Sequence, residues 1–156
     1  GRVLPLVKEF GAAVIGLTMD ERGIPKTAEE RLEVAKKIVS RAEAMGIPRE
    51  DILIDCLALA VGADTTAGSV ALEAIRLVRR ELGVNMTLGV SNISFGLPDR
   101  EDINEVFLAM ALGCGVNAPI VNPAQACKTA LIADLLLGRD EYAMRYIRYC
   151  RAHKTA

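Results

Sequence analysis

The chain has 156 residues, 51% apolar and 25% charged, with no tryptophan and a formal net charge of −1. That length suffices for one sizeable core, so residues 1–156 are expected to form a single domain, and the composition excludes a disordered chain. The balanced charge gives no electrostatic ground for a nucleic acid or an anionic membrane surface as partner.

Gly1 is not an initiator methionine, and residues 3–11 read as the tail of a helix entered midway, so the chain is expected to be a fragment or a processed piece. Four short apolar runs follow, at residues 12–18, 52–55, 87–90 and 118–121. Each is too short for a helix and rich in Val, Ile and Leu, the mark of buried parallel strands. Between the first two, Thr27 with Glu30 three residues later forms a capping-box pattern. Leu32, Ala35, Ile38, Val39 and Ala42 then keep one face apolar until Gly46 and Pro48 stop the helix. A second helix is expected over residues 69–82, with Val70, Ala74, Ile75, Leu77 and Val78 buried. A third starts near Pro98 and Asp99 with Ile103, Val106, Phe107 and Met110 as its apolar stripe. A fourth covers residues 124–137, and Asp140 caps a last helix reaching Arg151.

Strands alternating with helices require a parallel sheet with right-handed crossovers. Two architectures fit: an open doubly wound sheet, or half of a (β/α)8 barrel. Neither glycine-rich phosphate loop of the nucleotide-binding open sheets is present. A closed barrel needs roughly 200 residues or more, so four units make half of one. Four strands cannot close, and two edges would expose backbone groups and apolar side chains. Such a unit is expected to form a homodimer or to pair with an amino-terminal half-barrel.

Cys56, Cys114, Cys127 and Cys150 lie far apart without a C-x-x-C, and His153 is the only histidine. No zinc site is expected, nor is there a carboxylate cluster for another metal. The thiols are read as free and buried in a reducing cytoplasm. No apolar run approaches the roughly 20 residues of a membrane span, and no signal-peptide pattern opens the chain. No Ser/His/Asp or Cys/His arrangement can be assembled, which leaves hydrolysis through a nucleophilic triad unsupported.

In both architectures the residues just after each strand face the functional end of the sheet. They are Thr18, Met19, Asp20 and Glu21; then Asp55 and Cys56; then Ser91, Asn92 and Ser94, with Arg100 beyond; then Asn122, Pro123 and Gln125. Asp55 ends a buried strand, where a carboxylate needs a partner. It is either a cap for the next loop or an acceptor for the paired N–H groups of a 2-amino-4-oxo heterocycle. Asn92 is either a turn former or a neutral hydrogen-bonding contact for a heterocyclic ring. Arg100 is a surface arginine or a site residue.

The segment Ile15-Gly16-Leu17-Thr18-Met19-Asp20-Glu21-Arg22-Gly23-Ile24-Pro25, then Ile54-Asp55, then Leu88-Gly89-Val90-Ser91-Asn92-Ile93-Ser94-Phe95-Gly96 resembles the pterin-binding methyltransferases. It is most similar to the methyltetrahydrofolate:corrinoid methyltransferases and the folate module of cobalamin-dependent methionine synthase. Residues 107–115 and the 118–123 strand extend the match over nearly the whole chain. The resemblance implies the second half of a TIM barrel, strands five to eight, followed by a carboxyl-terminal helix. The implied reaction moves the N5 methyl group of 5-methyltetrahydrofolate to the cob(I)alamin of a partner corrinoid protein. By the same resemblance Asp55 holds the pterin ring, Asn92 reaches N5 as the catalytic group, and Gly89, Ser91 and Arg100 line the site. Ile120 is then an apolar wall under the ring, and Asn122 joins the substrate-binding set. The family also draws an Asp and an Asn from earlier barrel strands, so the implied site is shared with another half. Dihydropteroate synthase has the same barrel but carries basic side chains where this chain has Ser91-Asn92-Ile93 and Asn122-Pro123-Ala124. A non-catalytic, self-associating half-barrel is the remaining alternative.

Overall fold

The four apolar runs form one parallel sheet in the order β1-β2-β3-β4, every strand beside its neighbour in sequence. A computed structural model describes residues 3–153. The strands are β1 (Val14–Leu17), β2 (Ile52–Asp55), β3 (Asn85–Gly89) and β4 (Ala118–Ile120). The helices are α1 (Val3–Phe10), α2 (Ala28–Ala44), α3 (Ala67–Glu81), α4 (Arg100–Cys114), α5 (Pro123–Leu136) and α6 (Met144–Ala152). A doubly wound sheet reverses its strand order at a switch point. This sheet does not reverse, and it is half of a (β/α)8 barrel.

The sheet has two unlike faces, because side chains alternate along a strand. Ile52, Ile54, Met86 and Leu88 are fully buried in one core with Ala35 and Val39 of α2, Ala71, Ala74, Ile75 and Val78 of α3, and Leu108 and Ala111 of α4. The opposite face, a barrel's interior, carries Ile15 and Leu17 of β1, Leu53 and Asp55 of β2, Thr87 and Gly89 of β3, and Ala118 and Ile120 of β4. On the two edge strands it is open: Ile15 is 50% and Ile120 57% exposed. In a closed barrel such side chains fill the interior in layers.

The capping box of α2 is complete: the Glu30 N–H donates to Thr27 Oγ1 at 3.2 Å and the Thr27 N–H to Glu30 Oε2 at 3.4 Å. Several expected boundaries move. β3 starts at Asn85 because side-chain amides stitch the lower rim of the sheet. Asn117 Oδ1 accepts from the Met86 N–H, Asn117 Nδ2 donates to Asn85 Oδ1, and Asn85 Nδ2 donates to the Glu50 carbonyl. Val90 belongs not to the strand but to a 3-10 turn, Val90–Ser94. The buried stripe of α4 is Phe107, Leu108, Ala111 and Leu112, rotated from the expected one, so that Val106 and Met110 stay exposed beside α3. Asp140 does hold the start of α6, but from a distance. Its two oxygens accept the N–H groups of Arg145 and Tyr146 across a 3-10 turn with left-handed Tyr142 and Ala143.

All four thiols are free, but only Cys56 is buried; Cys127 is exposed and Cys114 and Cys150 are intermediate. The expectation of buried thiols therefore holds for one cysteine, the one seated at the end of a central strand. Among the described residues no helix is long and apolar enough to cross a membrane.

Candidate active site

β2 ends in Asp55, whose backbone carbonyl accepts the Thr18 N–H at 3.0 Å and so ties the end of β2 to that of β1. The carboxylate is buried, and its Oδ1 accepts the N–H of Leu57 at 2.8 Å. Oδ2 has no partner among the described residues. Both readings of the aspartate are thus compatible in one side chain, with one oxygen capping the loop and the other free. Burial pushes the carboxyl above its usual range, and the Leu57 N–H offsets part of that rise. Next to it, burial pushes the Cys56 thiol up to about 12, so it stays protonated and unreactive.

The turn after Asp55 is unusual. Leu57 has φ +62°, a left-handed backbone that a branched side chain rarely adopts. Arg31 of α2, only 2% exposed, reaches over to hold it. One terminal nitrogen, Nη1, donates to the carbonyls of Cys56 and Leu57 at 2.9 and 2.8 Å, and Nε donates to that of Pro25 at 3.0 Å. Arg31 lies outside the set of strand-end residues. Its signal was a basic residue three after Ala28 and four before Ala35, on the buried stripe of α2.

β3 runs out at Gly89 into the 3-10 turn that carries Ser91 and Asn92. The Asn92 side chain folds back over Gly89: a Cβ there would stand 3.0 Å from Asn92 Nδ2. The Asn92 carboxamide is exposed and has no hydrogen-bond partner among the described residues. The turn is braced from α4. Arg100 donates through Nε to Ser94 Oγ at 3.0 Å and through a terminal nitrogen to the Ser91 carbonyl at 2.8 Å, while Ser94 Oγ donates to Asn104 Oδ1 at 2.8 Å. The guanidinium also lies 5.6 Å from the ring centre of Phe95. Arg100 therefore shapes the Ser91–Asn92 turn through these bonds.

Asp55 and Gly89 lie on adjacent strands of the open inner face, Gly89 two residues beyond Asp55's partner Thr87, and Ile120 pairs with Gly89 on the far side. Asp55, Asn92 and Ile120 thus border one side of the sheet at its carboxyl end. Asn122 caps α5, its Oδ1 accepting the Ala124 N–H at 3.1 Å. It shares a separate cavity of about 150 Å³ with Ser91, Asn104, Glu105, Leu108 and Gln125, which neither Asp55 nor Asn92 lines.

Residues 1–122 match the model of a family described as pterin binding enzyme. The chain is 39% identical over 132 residues to a methionine synthase of Mycobacterium leprae and 38% to one of Mycobacterium tuberculosis, covering 80% of this chain and 11% of each relative. It is 29% identical over 146 residues to a methylcorrinoid:tetrahydrofolate methyltransferase of Eubacterium limosum, covering 90% of this chain and 53% of that protein. The chain therefore spans a tenth to a half of the length of these relatives. The half-barrel, the strand-end polar groups and the match over most of its length agree: the chain belongs to the family of pterin binding enzymes.

Proposed function

We propose that this chain is the carboxyl-terminal half of a pterin-binding methyltransferase barrel, acting in transfer of the N5 methyl group of 5-methyltetrahydrofolate to a corrinoid protein. One observation carries the reading. At the end of β2 and in the turn that follows β3, the second oxygen of Asp55 and the carboxamide of Asn92, neither hydrogen-bonded among the described residues, border the same open face. The names of the two kinds of relative support methyl transfer between a folate and a corrinoid: one is a methionine synthase, and the other, a methylcorrinoid:tetrahydrofolate methyltransferase, is named for the same exchange in the reverse direction.

The donor set suits a pterin. Asp55 accepts paired N–H groups from the 2-amino-4-oxo edge of the ring, a charge-assisted contact that fixes orientation. Ile120, exposed beside Gly89, offers an apolar surface for the ring. Asn92 donates from its amide to N5. As the carbon–nitrogen bond breaks, its electron pair returns to N5, and a donor that meets N5 more strongly at that moment lowers the barrier. A corrinoid held by the partner protein supplies the nucleophile that accepts the methyl group, so this chain needs none of its own. Ser91 and Arg100 keep the Asn92 turn in shape. Asn122, on its own cavity, is assigned a contact with the substrate's periphery.

The open inner face, with Ile15, Leu17 and Ile120 exposed, supports pairing with another half-barrel, either the amino-terminal half or a second copy. Methyl transfer to cob(I)alamin, followed by absorbance with this chain and an amino-terminal half together, tests the reading. Asn92→Ala at full rate would refute the role given to Asn92.

A further inference from the structure

We propose that Arg31 is a positioning residue: by holding the left-handed turn at Leu57 it fixes the Asp55 carboxylate in the orientation that leaves one oxygen free. The proposal rests on the reading of Asp55 as the pterin-binding carboxylate only for its functional meaning; the clamp stands on the geometry.

The geometry is specific. Arg31 is buried, it has no carboxylate hydrogen-bond partner among the described residues, and each of its described bonds goes to a backbone carbonyl. Burying a guanidinium is costly, and its charged form is disfavoured by that burial, with the charge of Asp64 offsetting only part of it. The three carbonyls belong to two loops at the functional end of the sheet, Pro25 after β1 and Cys56 and Leu57 after β2. The second loop contains the strained residue. A non-glycine residue in the left-handed region persists only where its surroundings hold it there. Here two contacts do so, one on each of the two peptide units that flank the Leu57 α-carbon. The Leu57 carbonyl accepts from Arg31, and the Leu57 N–H donates to Asp55 Oδ1. Were the turn to relax to an ordinary backbone angle, that N–H would swing away and the Asp55 carboxylate would lose its anchor. A lysine cannot replace Arg31, because a single ammonium cannot span carbonyls that the planar guanidinium reaches from two nitrogens.

The test uses the 156-residue chain and reads hydrogen exchange at the amide of residue 57, whose partner is the Asp55 carboxylate. Amides of Met86 and Ala74 in the core serve as internal references. In Arg31→Lys and Arg31→Gln, exchange at residue 57 is expected to quicken roughly tenfold relative to those references. Adding Leu57→Gly removes the backbone strain and is expected to return exchange at residue 57 towards the wild-type rate. Three results would overturn the proposal: unchanged exchange at residue 57, a rise matched at Met86 and Ala74, or no recovery with Leu57→Gly. If Arg31→Gln does not fold, Arg31→Lys with and without Leu57→Gly decides alone. A separate titration with 5-methyltetrahydrofolate, comparing wild type with Asp55→Asn, reports on the pterin reading. Failure there leaves the clamp intact, and failure of the exchange test leaves the pterin reading intact.

Discussion

The carboxamide of Asn92 lies over the bare α-carbon of Gly89, so close that one added methyl group would meet its nitrogen at 3.0 Å. The strand end and the turn it feeds are thus built as one unit, and the glycine makes room for the amide. Asn92→Ala is expected to lower the rate of methyl transfer about 100-fold with a much smaller change in KM, since the bond to N5 strengthens in the transition state. Gly89→Ala, which displaces the amide without removing it, is expected to cost roughly tenfold in kcat. Steady-state kinetics on the assembled barrel separates the two effects.

Asp55 links function and stability in opposite directions. Its carboxyl is raised above the unfolded value of 3.8 by burial, so the folded chain binds more protons than the unfolded chain between those two values. Its contribution to stability is therefore greatest below the unfolded pKa and is lost as pH rises through the raised one. Asp55→Asn keeps an acceptor for the Leu57 N–H and removes the buried charge. It is expected to melt at a higher temperature than wild type at pH 7, with the difference shrinking on acidification. Removing the charge-assisted contact is expected to weaken 5-methyltetrahydrofolate binding by roughly 10- to 100-fold. Calorimetric melting at several pH values and a binding titration check both parts.

Asp140 has the opposite sign. The N–H of Arg145, with that of Tyr146, holds its carboxyl below the usual value of 3.8. Its stabilisation of the α6 start is present above that value and is lost as pH falls through the depressed one. Asp140→Ala is expected to lower the melting temperature at neutral pH and to converge on wild type in strong acid. Fraying should be confined to α6, as amide exchange along residues 144–152 would show.

The open inner face makes a prediction about association. Lysines at Ile15 and Ile120, one on each edge strand, are expected to abolish self-association of the isolated chain without unfolding it, because both side chains already face solvent. Sedimentation velocity on wild type and the double variant decides this, and a monomeric wild type would rule out self-pairing through this face and leave the amino-terminal half as its partner.

Much of the architecture was legible because it rests on local patterns. The capping box at Thr27 and Glu30, the four apolar runs and the stops at Gly46, Gly83 and Gly138 follow from backbone chemistry within a few residues. The choice between an open sheet and a half-barrel was only narrowed by the missing phosphate loops, since strand order is a property of packing, and the family resemblance pointed to the half-barrel. The α4 stripe was misjudged for a related reason. Val106 and Met110 are apolar at helical spacing, yet the buried stripe lies one residue further round, at Phe107, Leu108, Ala111 and Leu112. The strand ends directed attention to Asp55 and Asn92, but their supports were hidden. Arg31 stands 24 residues before Asp55, and a buried arginine serving only backbone carbonyls leaves no charge pattern to notice. The amide ladder from Glu50 through Asn85 to Asn117 was equally silent, because asparagines near strand starts ordinarily read as turn formers.

The sequential strand order has a consequence for how the chain folds. Each strand meets only the strands just before and just after it, so the sheet can grow one β/α unit at a time, with modest loop-closure entropy at every addition. The middle units, β2 through β3 with α3 between them, gain neighbours on both flanks and are expected to resist exchange longest. The outermost units open first. A sheet that elongates in this way has no last strand by design: either edge is a growing end, ready to accept the next unit of a barrel.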